Sequence, residues 1–460
     1  MSAINPATGR VLCDIPLGSP EDVGRAVSAA RASFPLWRDT PAAERAAAVS
    51  RLADAVEAHG DELALLDTWD NGTPIREMRN DVRFAAAQMR YFAGLALQLR
   101  GETIPTPDGS LDFTVHEPFG VVGRIIPFNH PLLFAAARIA APLVAGNTVV
   151  LKPSEQTSLS ALRLGALARE ILPAGVLNVV TGYGDTVGDA LVRHPDVPRI
   201  AFTGDVAVGR RIQASAAEAA VKTVTLELGG KNPLIVFPDA DIDAAVAGAV
   251  RGMNFAWQGQ SCGSTSRLFV HRSIFDAFVD ALGARMDALR QGDPTDETTE
   301  VGAIVSERQH AKVTTYIEMG LDHPGARLVA GGGPPQDDAL RDGLFVRPTL
   351  FVVEDDDIPL VREEIFGPVL VAMAFDTYEE VIERANSVHF GLTGSVWTAD
   401  VRTALRAARD LRAGYIWVNT SSMHIPGAPF GGVKSSGVGR EEGIEELYSY
   451  TQVKNVNIAL

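Results

Sequence analysis

Short β-branched runs alternate with alanine-rich amphipathic stretches along most of this chain, and no other feature of the sequence restricts the fold as strongly. A short apolar run suits one buried strand, and the stretch after it suits a helix that carries the chain back to the same sheet. The outcome is a series of βαβ units around a mostly parallel sheet, an α/β fold. Val121 to Ile126, Thr148 to Leu151, Val176 to Val180 and Arg199 to Phe202 read as strands, with helices at Pro131 to Val144, Ser158 to Ile171 and Thr186 to Arg193. A second series follows the Gly229-Gly230 pair, with strands at Pro233 to Val236 and Ser266 to Val270 and helices at Ile242 to Met253 and Ser273 to Arg290. Thr103 to His116 and Tyr448 to Ile458 read as extended strands outside both series, free to pair across subunits. Gly331 to Pro335 reads as a solvent loop. A chain of 460 residues exceeds one hydrophobic core, so two or three domains are expected.

Charge and cysteine content narrow the function. A formal charge of −16 opposes a phosphate backbone and argues against nucleic-acid partners. Uncharged apolar runs such as Val369 to Phe375 and Leu132 to Ala137 fall well short of the roughly 20 residues that span a bilayer, so no membrane partner is expected. The start, Met1-Ser2-Ala3-Ile4-Asn5-Pro6, lacks a basic stretch and a long apolar core, which predicts a cytoplasmic address. Cys13 and Cys262 are the two cysteines. They form no disulfide framework or CxxC pair, and no metal site is expected. A small-molecule partner fits better.

Four clusters bear on chemistry. Cys262 lies in Gln260-Ser261-Cys262-Gly263-Ser264, where small neighbours leave room for a substrate and for backbone N–H donors; the alternative is a buried structural thiol. Cys13, near a surface strand without polar neighbours, keeps the structural reading. Glu227 follows the strand-like Val221 to Leu226 and leads into a glycine turn. Apolar surroundings would raise its pKa and suit a general base, whereas exposure would make it a solvated charge at a strand end. Asn129, in Ile125-Ile126-Pro127-Phe128-Asn129-His130-Pro131, sits at a strand-to-helix turn, as an oxyanion donor or as a simple turn residue. Phe202-Thr203-Gly204-Asp205-Val206-Ala207-Val208-Gly209 passes from strand through glycine to a helix start, where N–H groups meet a pyrophosphate or where the helix is merely capped. Gly182-x-Gly184 follows another strand in the same way.

Taken in order, these clusters resemble the aldehyde dehydrogenase superfamily of the NAD(P)-dependent, non-acylating type, from Asn5-Pro6-Ala7-Thr8-Gly9 to Tyr450-Thr451-Gln452-Val453. The resemblance implies a Rossmann-like NAD-binding domain over 1–100 and 119–229, a second α/β catalytic domain over 230–435, and a small β oligomerisation element from 101–118 and 443–460. It implies a homodimer or homotetramer. It assigns Cys262 as nucleophile, Glu227 as base, and Asn129, with the Cys262 N–H, as oxyanion stabiliser. For the cofactor it points to Ile126, Pro127, Phe128, Lys152, Glu155, Gly184, Phe202, Gly204, Asp205, Val208, Leu228, Gly229, Gln309, Glu364 and Phe366. For the aldehyde tunnel it points to His130, Phe134, Ala137, Ser261, Ser422, His424 and Phe430. Glu155 accepts from ribose hydroxyls and repels a 2′-phosphate, so NAD is favoured over NADP.

The implied reaction is oxidation of an aldehyde to a carboxylic acid through a cysteine thiohemiacetal and thioester, which water activated by Glu227 hydrolyses. It requires a sulfur that is held, ionised and open where the aldehyde channel meets the nicotinamide site. Three departures stand out. Asp205 occupies a position where serine commonly faces the pyrophosphate, and a carboxylate beside phosphates is unfavourable unless it turns away to cap the helix, which bears on cofactor affinity. The segment before Asn5 is short, so the leader arm of many relatives is expected to be missing. His130, Ala137, Ser422 and His424 replace bulkier or aromatic residues, which predicts a wider tunnel for a bulky or aromatic aldehyde; for His130 and His424 the alternative is a histidine hydrogen-bonded for packing. Two alternatives remain: a CoA-acylating enzyme that resolves the thioester with a thiol, disfavoured by Glu227, and a catalytically silent binding or structural relative.

Overall fold

The computed structural model describes residues 1–107 and 109–459. Five parallel strands, Val121–Ile125, Thr148–Lys152, Leu177–Val179, Arg199–Thr203 and Thr223–Glu227, lie in the spatial order 3-2-1-4-5 of a dinucleotide-binding sheet. A sixth short strand, Gly437–Val438, returns from the far end of the sequence and pairs antiparallel with Thr223–Glu227. The order reverses between Val121–Ile125 and Arg199–Thr203, so the turns after these two strands diverge and leave a crevice between them. Both strands are buried at every residue, as a sheet covered by helices on both faces requires.

The second sheet has seven strands, in the order Ala326–Ala330, Thr349–Val353, Val369–Phe375, Arg267–His271, Pro233–Val236, Thr393–Trp397 and Tyr415–Val418. Only Ala326–Ala330 runs antiparallel to its neighbour. The strands carry apolar residues on both faces, and the resulting cores on the two sides are separate: Ile235, Phe269 and Met373 pack on one, Leu234, Leu268 and Ala372 on the other. A three-stranded antiparallel sheet joins Thr451–Ile458, Leu111–Pro118 and Thr103–Ile104, with eight register pairs between the two long strands.

Several boundaries depart from the sequence reading. Tyr448 belongs to a short helix, Ile444–Ser449, that precedes the last strand; its hydroxyl donates to Gln98 O at 2.6 Å, a tertiary contact that periodicity cannot show. The helix expected from Thr186 begins at Gly184 as a π-turn and becomes α-helical only over Asp189–Arg193. Val221 is fully exposed outside the sheet, and Glu227 is the final residue of its strand rather than the residue after it. Cys13 is exposed on the strand Val11–Asp14, contrary to its structural reading, because that two-stranded ribbon buries only part of its surface. Among the described residues no helix is long and apolar enough to cross a membrane.

Candidate functional site

Three segments converge beside the crevice. Pro131, fixed in φ and lacking an N–H, starts the helix Pro131–Val144, which leaves Asn129 on the turn before it. Asn129 is 3% exposed, and its carboxamide has no hydrogen-bond partner among the described residues. Glu227, at the end of its strand, is 5% exposed, and neither carboxyl oxygen has a partner among the described residues. Burial raises its pKa well above the carboxylate range; nearby Glu441 adds to the rise, and Arg138, Arg440 and Arg124 oppose it. This removes the solvated-charge reading. Gly431 makes room for the carboxyl, since a Cβ there would come within 2.6 Å of Glu227 Oε1.

Cys262 sits on the loop before strand Arg267–His271. Asn254, Gln258 and Gly259 adopt left-handed backbone, which winds this loop tightly. Side-chain amides then pin it: Asn232 Nδ2 donates to Cys262 O at 2.7 Å and to Ser264 O at 2.9 Å, and Gln260 Oε1 accepts from Val305 N–H at 3.2 Å. Cys262 is half-buried and borders open cavity space, so it is not a sealed core residue. Burial, with Glu364 and Glu227 nearby, pushes the thiol pKa up to about 12. The expectation of a resting thiolate is therefore corrected: burial above all, with smaller contributions from Glu364 and Glu227, favours the thiol in this site. Alkylation of Cys262 by iodoacetamide should accordingly quicken about tenfold per pH unit from pH 7 to beyond pH 10, whereas a plateau near pH 8, read by peptide mass spectrometry, would contradict this assignment.

Two cavities, of about 570 and about 580 Å³, meet at Cys262, and Phe134, Thr203 and Glu227 also line both. The first is the crevice at the strand reversal. Of the expected cofactor residues, Pro127, Phe128, Glu155, Gly204, Asp205, Val208, Leu228, Gly229, Gln309, Glu364 and Phe366 line it. Ile126, Lys152, Phe202 and Gly184 do not. Ile126 and Phe202 pack in the core, Lys152 is buried with Nζ on Glu155 Oε2 at 3.3 Å, and Gly184 opens the π-turn.

The crevice is braced from its far wall. Gln309 Nε2 donates to Phe366 O at 2.7 Å, Lys312 Nζ donates to Glu364 O at 2.9 Å, and Glu364 Oε1 accepts from Gly230 N–H at 2.9 Å. Gly229 permits this approach, because a Cβ would come within 1.9 Å of Glu364 Oε2. Burial raises Glu364 to about 7. Phe366 holds a left-handed φ of 57°, a conformation a bulky residue keeps only when its surroundings enforce it. Asp205 Oδ1 accepts from Ala207 N–H at 2.8 Å and Val208 N–H at 3.1 Å, so the carboxylate caps its own helix and withdraws two donors from any phosphate. Arg308 and Lys312, which the sequence reading missed, supply cations along the same wall.

The crevice therefore fits a dinucleotide. It lies at the switch point, carries a carboxylate at Glu155 suited to ribose hydroxyls, and offers cationic side chains where the capped helix offers fewer amides.

The second cavity is lined by His130, Phe134, Ser261, Ser422, His424 and Phe430 among the expected tunnel residues, together with Trp257 and Phe84. Ala137 is 1% exposed and absent from the wall, because its neighbour Arg138 takes the inward face of that helical turn. Arg138 also escaped the sequence reading. It is the one charged residue in the helix Pro131–Val144, and a buried charge there needs a partner. It has three: Glu441 at 3.0 Å, Glu442 at 3.0 Å and Glu446 at 3.8 Å, and Arg124 joins Glu441 at 2.6 Å. Of the seven non-glycine residues with positive φ among those described, Asn254, Phe366, Ser422 and Glu442 line the two cavities.

The sequence profile of the aldehyde dehydrogenase family matches residues 1–456. The chain is 45% identical over 470 residues to a phenylacetaldehyde dehydrogenase of Pseudomonas fluorescens, covering 100% of this chain and 92% of that protein. It is 44% identical over 460 residues to a mitochondrial aldehyde dehydrogenase of Equus caballus, covering 99% and 91% of the two chains. The solved NAD⁺ complex of an aldehyde dehydrogenase from Bacillus cereus superposes with a TM-score of 0.97 at 42% identity, covering 100% of this chain and 93% of that one.

Proposed function

We infer from this chain's membership of the aldehyde dehydrogenase family, which the match over residues 1–456 establishes, that it oxidises an aldehyde to a carboxylic acid with NAD, and that Cys262, Glu227 and Asn129 carry the chemistry. One observation supports the site assignment above all others: the single sulfur at the junction of a dinucleotide-sized crevice and a second, aromatic-walled cavity.

The Cys262 sulfur adds to the aldehyde carbon as its minority thiolate, about one part in 10⁴ at pH 8 for a pKa near 12, and a thiolate of high pKa is intrinsically a strong nucleophile. The free carboxamide of Asn129 and the Cys262 N–H donate to the oxygen that gains charge. NAD held by the crevice residues would supply the hydride acceptor for this oxidation, and the acyl group is then carried by the Cys262 sulfur as a thioester. Glu227 takes a proton from water, which attacks the thioester carbon and releases the acid and the thiol. Its carboxyl has no hydrogen-bond partner among the described residues, and burial raises its proton affinity, which suits a group that takes a proton from water. A CoA-acylating reaction would not use such a base.

Asn129→Ala removes one oxyanion donor and should lower kcat about 10²–10³-fold, roughly 2.7–4 kcal/mol of barrier, with folding intact. Steady-state kinetics on any accepted aldehyde reads this, and a change under threefold would remove the role. Glu155→Ala should lower the NAD over NADP ratio of kcat/KM at least about tenfold by removing a negative charge that faces a 2′-phosphate. An unchanged ratio would place cofactor choice elsewhere. The reading as a whole is tested by NADH formation across aliphatic, aromatic, amino and semialdehyde substrates, which should occur with at least one class and vanish without NAD.

The same inference extends to organisation. Residues 1–100 and 119–229 form the NAD-binding domain and 230–435 the catalytic domain. The segments 101–118 and 443–460 form the oligomerisation element, whose three-stranded sheet exposes Val453 (64%) and Leu111 and Ile458 (40% each), apolar surface suited to a homodimer or homotetramer. Two free cysteines suit a cytoplasmic location.

A further inference from the structure

Two imidazole–carboxylate pairs face the cavity beyond Cys262. His130 Nδ1 lies 2.7 Å from Asp81 Oδ2, and His424 Nδ1 lies 3.1 Å from Glu442 Oε2. Both carboxyl groups are 5% exposed or less. A carboxylate accepts, so each Nδ1 donates to its partner, and in that tautomer Nε2 is the ring's hydrogen-bond acceptor. Neither Nε2 has a hydrogen-bond partner among the described residues, and both rings line the same cavity as Cys262. Phe84, Phe134, Trp257 and Phe430 add an aromatic stretch to a wall that also carries polar and aliphatic side chains.

We propose that these two pairs select aromatic aldehydes bearing a ring hydroxyl. The proposal rests on Cys262 being the group that meets the aldehyde. A phenol satisfies both halves of the wall: its ring packs edge-to-face against the aromatic side chains, and its O–H donates to a waiting Nε2. An unsubstituted ring fills the same space and leaves that acceptor unpaired, which is how a hydrogen-bonding site rejects an analogue lacking the donor. A carboxylated ring is disfavoured on charge. The wall carries the carboxyl groups of Glu77, Asp81, Glu227, Glu300, Glu441 and Glu442 against the guanidiniums of Arg76, Arg138, Arg251 and Arg285, and Arg138 is already committed to Glu441 and Glu442.

The test compares kcat/KM for phenylacetaldehyde, its 4-hydroxy analogue and its 4-carboxy analogue in the wild-type enzyme, in His130→Phe, in His424→Phe and in the double variant. The wild type should prefer the hydroxylated substrate about tenfold over the unsubstituted one, chiefly through KM, and should turn over the carboxylated one most slowly. The preference should fall toward unity in at least one single variant and in the double variant. A wild-type ratio below twofold, a preference for the carboxylated substrate, or a hydroxyl preference unchanged in the double variant would each overturn the proposal. The wild-type ratios decide by themselves should a variant fail to fold. Turnover of phenylacetaldehyde with a flat ratio sinks only this proposal, whereas no NADH from any aromatic or aliphatic aldehyde sinks the dehydrogenase reading beneath it.

Discussion

Cys262→Ala should abolish NAD-dependent aldehyde oxidation, lowering kcat by about 10⁴ or more, because no other group in the junction can form the covalent adduct. The size of the effect follows from placement. The sulfur is one of four side chains common to both cavities, and of the other three only Glu227 is ionisable and it lacks the nucleophilicity of a thiolate. Cys13, exposed on the ribbon Val11–Asp14, provides the control: Cys13→Ala should retain wild-type turnover, since it lines neither cavity. Thermal unfolding of both variants separates chemistry from folding. Residual oxidation above about 1% of wild type in Cys262→Ala would require another nucleophile or a direct hydride transfer from the aldehyde hydrate.

Glu227→Gln should divide the reaction in two. The amide keeps the volume and removes the base, so acyl transfer to sulfur continues while hydrolysis stalls, with steady-state turnover about 10²–10⁴-fold lower. Rapid mixing should show a burst of about one NADH per active site followed by a slow phase. The electrostatic context strengthens the expectation. Burial and Glu441 raise the proton affinity of Glu227 well above that of an ordinary carboxylate, and Gln cannot exchange a proton at all. Equal steady-state rates in the two enzymes would remove Glu227 from the mechanism.

Much of the scaffold was legible because local rules and tertiary packing agree. The helix Pro131–Val144 and the strand Pro233–Val236 match the sequence reading at both ends, the helix because proline opens it and alanine fills it, the strand because a glycine pair precedes it. The convergence of Asn129, Glu227 and Cys262 followed from the family resemblance, since periodicity cannot bring together residues so far apart in the chain. Long-range polar pairing stayed hidden for the same reason: Arg138 and Glu442 are 304 positions apart. The lone arginine in an apolar helix was the available signal. Asp205 caps its own helix, one of the two arrangements the sequence leaves open, whereas the proton affinity of the thiol depends on burial and on Glu364 and Glu227, which only folding brings near.

The central claim, that an acyl group resides on one identified sulfur between chemical steps, is open to direct inspection. Glu227→Gln mixed with NAD and an accepted aldehyde should yield, on rapid quenching and peptide mass spectrometry, the peptide containing Cys262 heavier by the aldehyde less two hydrogens, with the Cys13 peptide unmodified. NADH formation accompanied by an unmodified Cys262 peptide, or by an adduct at Cys13, would contradict it.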